Sequence, residues 1–289
     1  MITYFADTDG DFTPSLAAEY GYKLISMPYC VNGENIYPYE DFETFDSKAF
    51  YDMLRGGTLP TTSALSKERY IEYFEPEFEA GNDICYVHFS EAMTATFSFM
   101  RKAVEELKQK YPERKFYEID TKGITILSYA VTKEIGKLIK SGKTIEEILD
   151  WANVEVDKFA MYFYADDLKF FRRSGRVSGL AATMGTLIGI RPIIAVDQKG
   201  VMGNVGKERG RKNAVKRLLT YVEELGDDIK NYEFVIGHTD CTENAEELAA
   251  ELRKEFGNDL KIETVMVNPT AGSHCGPNGV GVCFHAVHR

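Results

Sequence analysis

The chain has no long apolar stretch and no basic leader. No window approaches 18 consecutive apolar residues, so the sequence predicts no transmembrane helix. The segment Met1–Asp7 reaches an acidic residue without any lysine or arginine, unlike a secretory signal. Positive charge is also scarce, with 34 Lys and Arg against 45 Asp and Glu and a net charge of −11. We expect a cytoplasmic protein whose main partner is neither nucleic acid nor an anionic membrane.

Cysteine is sparse, and its spacing argues against cross-links. The five cysteines are odd in number and form no Cys-x-x-Cys pair, so we expect free thiols rather than disulfides or zinc. Three common signatures are also missing: a Gly-x-Ser-x-Gly elbow, a Walker loop, and a Gly-x-Gly-x-x-Gly turn after a strand. The sequence therefore predicts no metal site and no nucleotide cofactor.

What the sequence does contain is an alternation of apolar strands and helices up to about residue 155. The apolar runs at 2–6 and 83–89 each lead into a polar loop and a helix, as in parallel α/β sheets. Beyond 155, Lys199-Gly200 predicts a hairpin, and an apolar helix is predicted over Leu180–Ile188. We predict an α/β protein with two domains. Residues 1–155 form a Rossmann-like parallel-sheet domain, and residues 156–289 form an α+β domain whose sheet is partly antiparallel.

The stretch Leu59–Ser66 combines a proline with a run of hydroxyl side chains. Pro60 restricts its own backbone and that of the preceding residue, which gives the hydroxyls of 61–63 a rigid entry. Hydroxyls and N–H groups ahead of a helix can cradle a carboxylate or a phosphate. The alternative is purely structural: Ser66 caps the helix predicted from Lys67, and the other hydroxyls satisfy a turn.

Two further polar loops follow predicted strands. Ser90–Thr96 carries hydroxyls between a strand and a helix, so in a parallel sheet it lies at the same edge as the first hydroxyl loop. Asp7–Asp11 follows the first strand and lacks the glutamate that would complete an EF-hand. We interpret this acidic loop as structural support for a pocket.

One histidine stands in a setting that favours ligand contact. His274 lies between Gly272 and Gly276-Pro277, where the backbone can approach a ligand closely, although a structural role stays open. Arginines cluster at 172–176, and a second basic group follows at 207–212. Hydroxyls, arginines and one histidine suit the binding of an anionic head group better than a covalent reaction.

Taken in order, these motifs resemble the DegV family of bacterial fatty-acid-binding proteins. The resemblance runs nearly end to end, and its order is more specific than any single motif. It rests on Asp7–Asp11, Pro60–Ser63, Ser90–Thr96, Leu168–Val177 with Gly175-Arg176, Gly189–Ile194, Lys207–Ala214, and His274 with Gly276-Pro277.

The resemblance implies a lipid-binding carrier, not an enzyme, that buries one long-chain fatty acid and needs no cofactor. Carried over to this sequence, the head-group contacts are Thr62, Ser63, Thr94, Ala95 through its backbone, Thr96 and His274. In family members that partner a fatty acid kinase, the bound carboxylate is phosphorylated, a step towards phospholipid synthesis. The residues that would then contact the phosphate or the kinase are Arg173, Arg176 and Arg209.

The sequence departs from the family pattern at several positions, among them Ala64-Leu65 in place of Gln-Pro and Ser174 in place of a glycine. Glu91 places an anion close to the expected carboxylate, Ala95 replaces a glycine, and Asn278 stands where the family has a glycine. These departures bear on chain preference and on kinase partnering, while acyl binding remains the expectation.

An enzyme is the alternative function for the same residues. It would act on a small phosphorylated or carboxylated substrate, with His274 as acid/base and the arginines as a clamp. Such an enzyme needs a base oriented by a hydrogen-bonding partner. A carrier needs a closed apolar tunnel behind Thr62 and Thr94.

Overall fold

The computed structural model describes residues 1–166, 168–178 and 189–289. The strands in these ranges are β1 (Ile2–Asp7), β2 (Tyr22–Ile25), β3 (Tyr29–Val31), β4 (Glu34–Ile36), β5 (Thr61–Thr62), β6 (Asp83–His88), β7 (Phe116–Asp120), β8 (Phe159–Tyr164), β9 (Val177–Ser178), β10 (Ile190–Val196), β11 (Met202–Arg209), β12 (Phe234–His238), β13 (Ile262–Met266) and β14 (Val280–His285). The helices are α1 (Pro14–Tyr20), α2 (Ser47–Arg55), α3 (Lys67–Glu79), α4 (Thr96–Lys110), α5 (Ile126–Lys140), α6 (Ile145–Glu155), α7 (Lys169–Ser174), α8 (Arg211–Leu225), α9 (Thr242–Phe256) and α10 (Pro269–Cys275). The helix predicted over Leu180–Ile188 lies outside the described residues.

The first sheet is parallel throughout, as predicted. Its order is β2-β1-β6-β7, and Tyr4 of β1 stands opposite Tyr22 on one side and Cys85 on the other. The central strand β6 is buried along all but its first residue because helices cover both faces of the sheet. Apolar side chains of α3 and α4 pack with Phe5 and Ile84 in one cluster on this sheet.

The second sheet is mixed and partly antiparallel, which confirms the predicted fold class. Its order is β13-β12-β14-β8-β10-β11-β9, and β8 runs antiparallel to both β14 and β10. The predicted hairpin joins β10 to β11, with Gly200 at a φ of +77° in its turn. Helices α8 and α9 supply the apolar side chains that pack against this sheet.

One apolar cluster spans both sheets. It contains Val87 of the first sheet, Leu127 and Val131 of α5, and Met161 and Val235 of the second sheet. Helix α5 is accordingly buried over most of its length. The structure therefore packs the two sheets into a continuous core, and the boundary at residue 155 stays a prediction.

Two segments differ from what the sequence predicts. The apolar character of residues 22–31 predicts one strand, but the segment forms two strands in separate sheets. The pairing is interrupted between them, where Ser26 Oγ donates to Pro38 O and Met27 N donates to Thr8 Oγ1. The glycines and the proline around His274 predict a loop, but the structure has helix α10 there. Asn268 caps this helix through its side chain, and Pro269 occupies the first turn, a typical helix start that the nearby glycines obscure.

No helix within the described ranges combines the length and the apolar character needed to cross a membrane.

Candidate functional site

A cavity of about 230 Å³ lies where the carboxyl edge of the first sheet faces the second sheet. Its lining includes Asp9 after β1, Phe89 after β6, Ile126 of α5, Met161 of β8 and Gly281 of β14. A buried water needs only about 10–15 Å³ by a comparable measure, so the cavity holds far more than an isolated water.

Most of the cavity wall is apolar and deformable. Methionine has three rotatable bonds and a polarisable sulfur, so a wall rich in it adapts to ligands of different shape. Four methionines and three phenylalanines contribute: Met27, Met93, Met161, Met202, Phe89, Phe163 and Phe171. Such a wall suits a hydrocarbon chain.

The lining residues that are exposed mark the mouth of the cavity. They are Ser63, Ala64, Ala95 and Arg176, which come from the two predicted hydroxyl loops and from the arginine cluster. The predicted head-group residues thus converge at the side of the cavity that is open to solvent.

Thr62 and His274 form a hydrogen-bonded pair in the cavity wall. Thr62 Oγ1 lies 2.9 Å from His274 Nε2, although the two residues are 212 positions apart. Strand β5 carries Thr62 to this point by pairing antiparallel with β3, where Thr62 stands opposite Tyr29. His274 Nδ1 is buried and has no hydrogen-bond partner among the described residues.

The environment of His274 keeps its imidazole neutral. Burial, together with the positive charges of Arg176 and Arg173, lowers the pKa of His274 to about 4. A neutral imidazole has one N–H donor and one acceptor nitrogen. His274 is therefore a hydrogen-bonding group at neutral pH and not a cation.

The loop Ser90–Thr96 contributes both a hydroxyl and a helix start. Thr94 lines the cavity, and its Oγ1 accepts a hydrogen bond from Thr96 N at 3.1 Å. Ala95 is the N-cap of α4 and supplies no side-chain cap. The first N–H groups of a helix attract anions, so this end of α4 offers a place for a carboxylate at the mouth.

The hydroxyl of Thr96 joins the two hydroxyl loops. Thr96 Oγ1 accepts a hydrogen bond from Leu65 N at 2.9 Å and lies 3.0 Å from the hydroxyl of Tyr70. Thr96 is buried, so these bonds are shielded from water. Its side chain therefore fixes the geometry of the mouth, while Thr62 and Thr94 stay placed to meet a ligand.

Ser90 and Ser63 use their hydroxyls elsewhere. Ser90 Oγ donates to Gly200 O at 2.8 Å and so attaches the β10–β11 turn to the first sheet. A Cβ on Gly200 would come within 2.2 Å of this hydroxyl. Ser63 is exposed at the mouth, and its Oγ donates to Asn35 Oδ1 at 3.3 Å.

The three arginines predicted to contact a phosphate or a kinase lie in two different places. Arg173 and Arg176 are exposed on either side of Gly175, and Arg173 donates to Leu59 O in the first hydroxyl loop. Met202, which lines the cavity, and Arg209, which is exposed, stand at opposite ends of β11. The two residues are separated by roughly 23 Å along the strand. Only Arg173 and Arg176 are therefore close to His274.

Two departures from the family pattern have a structural explanation. Glu91 is ion-paired with Arg101, which also bonds Glu118 at 2.5 Å, so its negative charge is compensated on the protein surface. Asn278 has a φ of +67°, and asparagine tolerates this left-handed region better than most residues. Its Oδ1 also accepts a hydrogen bond from Arg55 at 3.2 Å.

The acidic loop supports the cavity through buried hydrogen bonds. Asp7 accepts from the backbone N–H groups of Asp9, Gly10 and Phe89 and from the hydroxyl of Tyr86. Asp11 Oδ1 accepts from Asn268 N and Nδ2 at 2.8 and 2.7 Å. Asp9, in contrast, lines the cavity itself. Sequence reasoning assigned the whole loop to structure, although its carboxyl density was a signal for a cavity role.

We expect the stability of the ligand-free protein to fall as the pH rises from about 4 to about 7. Burial raises the pKa of Asp11 to about 7, against an ordinary value of 3.8. In this window the folded protein retains a proton that the unfolded chain has released, so folding is opposed as the pH rises. Burial also raises the pKa of Asp7 to about 6, so Asp7 likewise lowers the stability as the pH rises. The lowered pKa of His274 has the opposite effect and raises the stability with pH.

Asp11→Asn isolates this effect, because asparagine keeps an oxygen for Asn268 but cannot ionise. The midpoint of thermal unfolding should rise in the variant, relative to the natural chain, by more at pH 8 than at pH 5. We expect the rise at pH 8 to exceed the rise at pH 5 by at least about 4 °C, since about 1 kcal/mol shifts the midpoint of a chain this size by about 2–4 °C. An equal shift at both pH values would contradict the buried, protonated state of Asp11.

Comparison with known proteins places the chain in a family. A family model described as an uncharacterised protein of the DegV family matches residues 2–287. The chain belongs to the DegV family. A DegV domain-containing protein of Clostridium perfringens is 32% identical over 285 residues, which are 97% of this chain and 96% of that relative. A DegV domain-containing protein of Streptococcus pyogenes serotype M3 is 25% identical over 280 residues, 97% of this chain and 96% of its own.

Solved structures, including those of DegV proteins, have the same fold. A stearic acid-binding protein from Eubacterium ventriosum has a TM-score of 0.87 at 17% identity, covering 98% of this chain and 97% of its own. A fatty-acid-binding DegV protein from Thermus thermophilus has a TM-score of 0.85 at 19% identity and covers 99% of both chains. DegV of Bacillus subtilis, a fatty acid binding protein, has a TM-score of 0.81 at 23% identity and covers 98% of both chains.

Proposed function

We propose that this DegV chain binds one long-chain fatty acid, with its hydrocarbon in the cavity and its carboxylate at the mouth. The observation that carries the proposal is an apolar cavity in which three neutral hydrogen-bonding groups, Thr62, Thr94 and His274, lie half-buried next to the exposed mouth. DegV proteins of the same fold that bind stearic acid or other fatty acids support it.

The apolar wall accounts for most of the expected affinity. Burying a chain of about 16 methylene groups contributes on the order of 10 kcal/mol at about 0.8 kcal/mol per group, before the cost of association. The head-group residues then need only to orient the carboxylate. Neutral donors are sufficient for that task.

The Thr62–His274 pair can donate to a carboxylate in either tautomer of the histidine. With the proton on Nδ1, Thr62 donates to Nε2 and the Nδ1–H is free for the ligand. With the proton on Nε2, the ring donates to Thr62 and the threonine hydroxyl is free instead. The Nδ1–H form leaves no buried nitrogen unpaired once the carboxylate is bound, so we assign this tautomer to the complex.

The proposal includes presentation of the carboxylate to a fatty acid kinase. The exposed mouth leaves the head group within reach of a partner, and the cations Arg173 and Arg176 stand beside it. They suit the charge of an acyl phosphate or of an acidic kinase surface. Arg209 is too far along β11 to share that phosphate, so its role would be contact with the kinase itself.

The geometry favours a carrier over an acid/base enzyme. A general base works best with a pKa near the operating pH, whereas His274 has a pKa lowered to about 4. Its nearest hydrogen-bond partner is the hydroxyl of Thr62, and the flanking charges are arginines that disfavour protonation. This arrangement suits static hydrogen bonding to an anion.

Native mass spectrometry of the purified chain tests binding. We expect one palmitate or oleate per chain, either carried through purification or added after delipidation. The loaded protein is then incubated with ATP and a bacterial fatty acid kinase, and acyl phosphate is trapped with hydroxylamine. Hydroxamate should form only with both proteins present.

The two parts of the proposal fail separately. A delipidated chain that binds neither palmitate nor oleate would refute fatty acid binding. A chain that binds both but never yields hydroxamate with any fatty acid kinase would refute presentation alone. Arg176→Ala should lower the yield of hydroxamate, because it removes a cation beside the head group. Arg217→Ala, which removes an exposed arginine ion-paired with Glu208, is the matched control and should leave the yield unchanged.

A further inference from the structure

A polar spot interrupts the apolar wall at Asp9 and Thr125. Both residues line the cavity, at 5% and 7% exposure. Asp9 Oδ1 is buried, and no described residue donates a hydrogen bond to it. The hydroxyl of Thr125 has only the sulfur of Met161 as its acceptor within the described residues, at 3.8 Å. A thioether is a weak acceptor, so both side chains retain unused hydrogen-bonding capacity.

The surrounding backbone holds these two side chains together. Thr125 N donates to Asp9 O at 2.8 Å, and Asn268 Nδ2 donates to the same oxygen at 3.3 Å. Thr125 has a φ of +50°, a conformation that β-branched residues rarely adopt. The polar spot is therefore built from three separate parts of the chain.

The buried setting of Asp9 favours the neutral form of its carboxyl group. Burial is the largest cause that raises the pKa of Asp9 well above its ordinary value. A protonated carboxyl group has one O–H donor and an acceptor oxygen. It can therefore hydrogen bond to a hydroxyl or a carbonyl without bringing a charge into the apolar cavity.

The polar spot lies away from the head-group residues. Helix α10 runs from the Asn268 cap, which contacts Asp9, to His274, which contacts Thr62. Six residues of helix span about 9 Å. A ligand carboxylate at Thr62 would therefore be separated from Asp9 by several methylene groups of its own chain.

We propose that Asp9 and Thr125 form a second polar subsite, which binds an oxygen atom on the middle of the acyl chain and makes hydroxy or oxo long-chain fatty acids the preferred ligands. This inference rests on the proposed fatty acid binding. A hydroxyl on the acyl chain would donate to the carbonyl oxygen of the Asp9 side-chain carboxyl group. It would accept a hydrogen bond from the Thr125 hydroxyl or from the O–H of the same carboxyl group. A plain hydrocarbon at the same place would leave both side chains unpaired, which disfavours it.

Equilibrium binding of stearate, 2-hydroxystearate and 10-hydroxystearate to the delipidated full chain tests the subsite. We expect 10-hydroxystearate to bind about tenfold more tightly than stearate, and 2-hydroxystearate to show no such gain because its hydroxyl lies beside the carboxylate. Asp9→Leu should remove the gain by improving stearate binding and weakening that of 10-hydroxystearate. Asp9→Asn should retain part of it, since an amide both donates and accepts.

Asp11→Asn is the matched control, because Asp11 belongs to the same buried loop but does not line the cavity. The Asp11→Asn variant should prefer 10-hydroxystearate over stearate by the same factor as the natural chain. Equal binding of stearate and 10-hydroxystearate by the natural chain would overturn the subsite and leave fatty acid binding intact, even if Asp9→Leu fails to fold. A preference that survives in folded Asp9→Leu would overturn the role of Asp9. Failure to bind any of the three acids would overturn the proposed function and the subsite together.

Discussion

Replacing Thr62 and Thr94 together by valine should weaken fatty acid binding by about 100-fold. Valine keeps the shape of threonine but removes two hydroxyls: that of Thr94, which would meet the carboxylate, and that of Thr62, which holds the His274 ring so that its Nδ1–H can donate to the carboxylate. Hydrogen bonds to charged groups contribute about 1.5–3 kcal/mol each, and about 1.4 kcal/mol corresponds to a tenfold change in affinity. Displacement of a fluorescent fatty acid from delipidated protein measures the change directly.

A matched control separates the head group from the stability of the loop. Thr61 precedes Thr62 in β5, is exposed, and does not line the cavity. Thr61→Val should therefore bind as the natural chain does. The single variants should each lose about tenfold, with Thr62→Val also freeing His274 Nε2. Unchanged affinity in the folded double variant would place the carboxylate elsewhere.

Thr96→Val should destabilise the protein by about 2–4 kcal/mol. The hydroxyl of Thr96 bonds Leu65 N and lies within hydrogen-bonding distance of Tyr70, and both partners are buried. Valine would leave these groups without a partner, at a cost of about 1–3 kcal/mol for each. Urea unfolding monitored by circular dichroism measures the loss of free energy. Fatty acid affinity should fall as well, because the two sides of the mouth are no longer joined.

Tyr70→Phe provides the comparison for this prediction. It removes one partner of the Thr96 hydroxyl while the bond to Leu65 N remains, so we expect a loss of only about 1 kcal/mol. A Thr96→Val variant no less stable than Tyr70→Phe would show that the Leu65–Thr96 bond does not hold the mouth together.

The sequence was informative where local chemistry determines structure. Parallel strands covered by helices need continuous apolar runs, so β1 and β6 could be recognised directly. The hairpin after β10 followed from Lys199-Gly200, since glycine readily adopts the positive φ of a tight turn. These features depend on neighbours within a few residues.

Features that depend on distant partners were harder to foresee. Convergence of the hydroxyl loops was expected from a shared sheet edge, but what holds the Thr62 loop beside the Thr94 loop is the β3–β5 pairing and the Thr96–Leu65 bond. The role of Asp9 in the cavity depends on Thr125 and Met161, more than 100 residues away. Nothing in the local sequence indicates which of three neighbouring aspartates lines the cavity.

The bond between Ser90 and Gly200 has a consequence for how the family can vary. Two positions 110 residues apart share one small space, because any side chain at 200 would overlap the serine hydroxyl. A larger residue at either position therefore requires an accommodating change at the other. We expect relatives with a larger residue at 90 to carry a reshaped or longer turn after β10, and an alignment of many DegV sequences should show these two positions changing together.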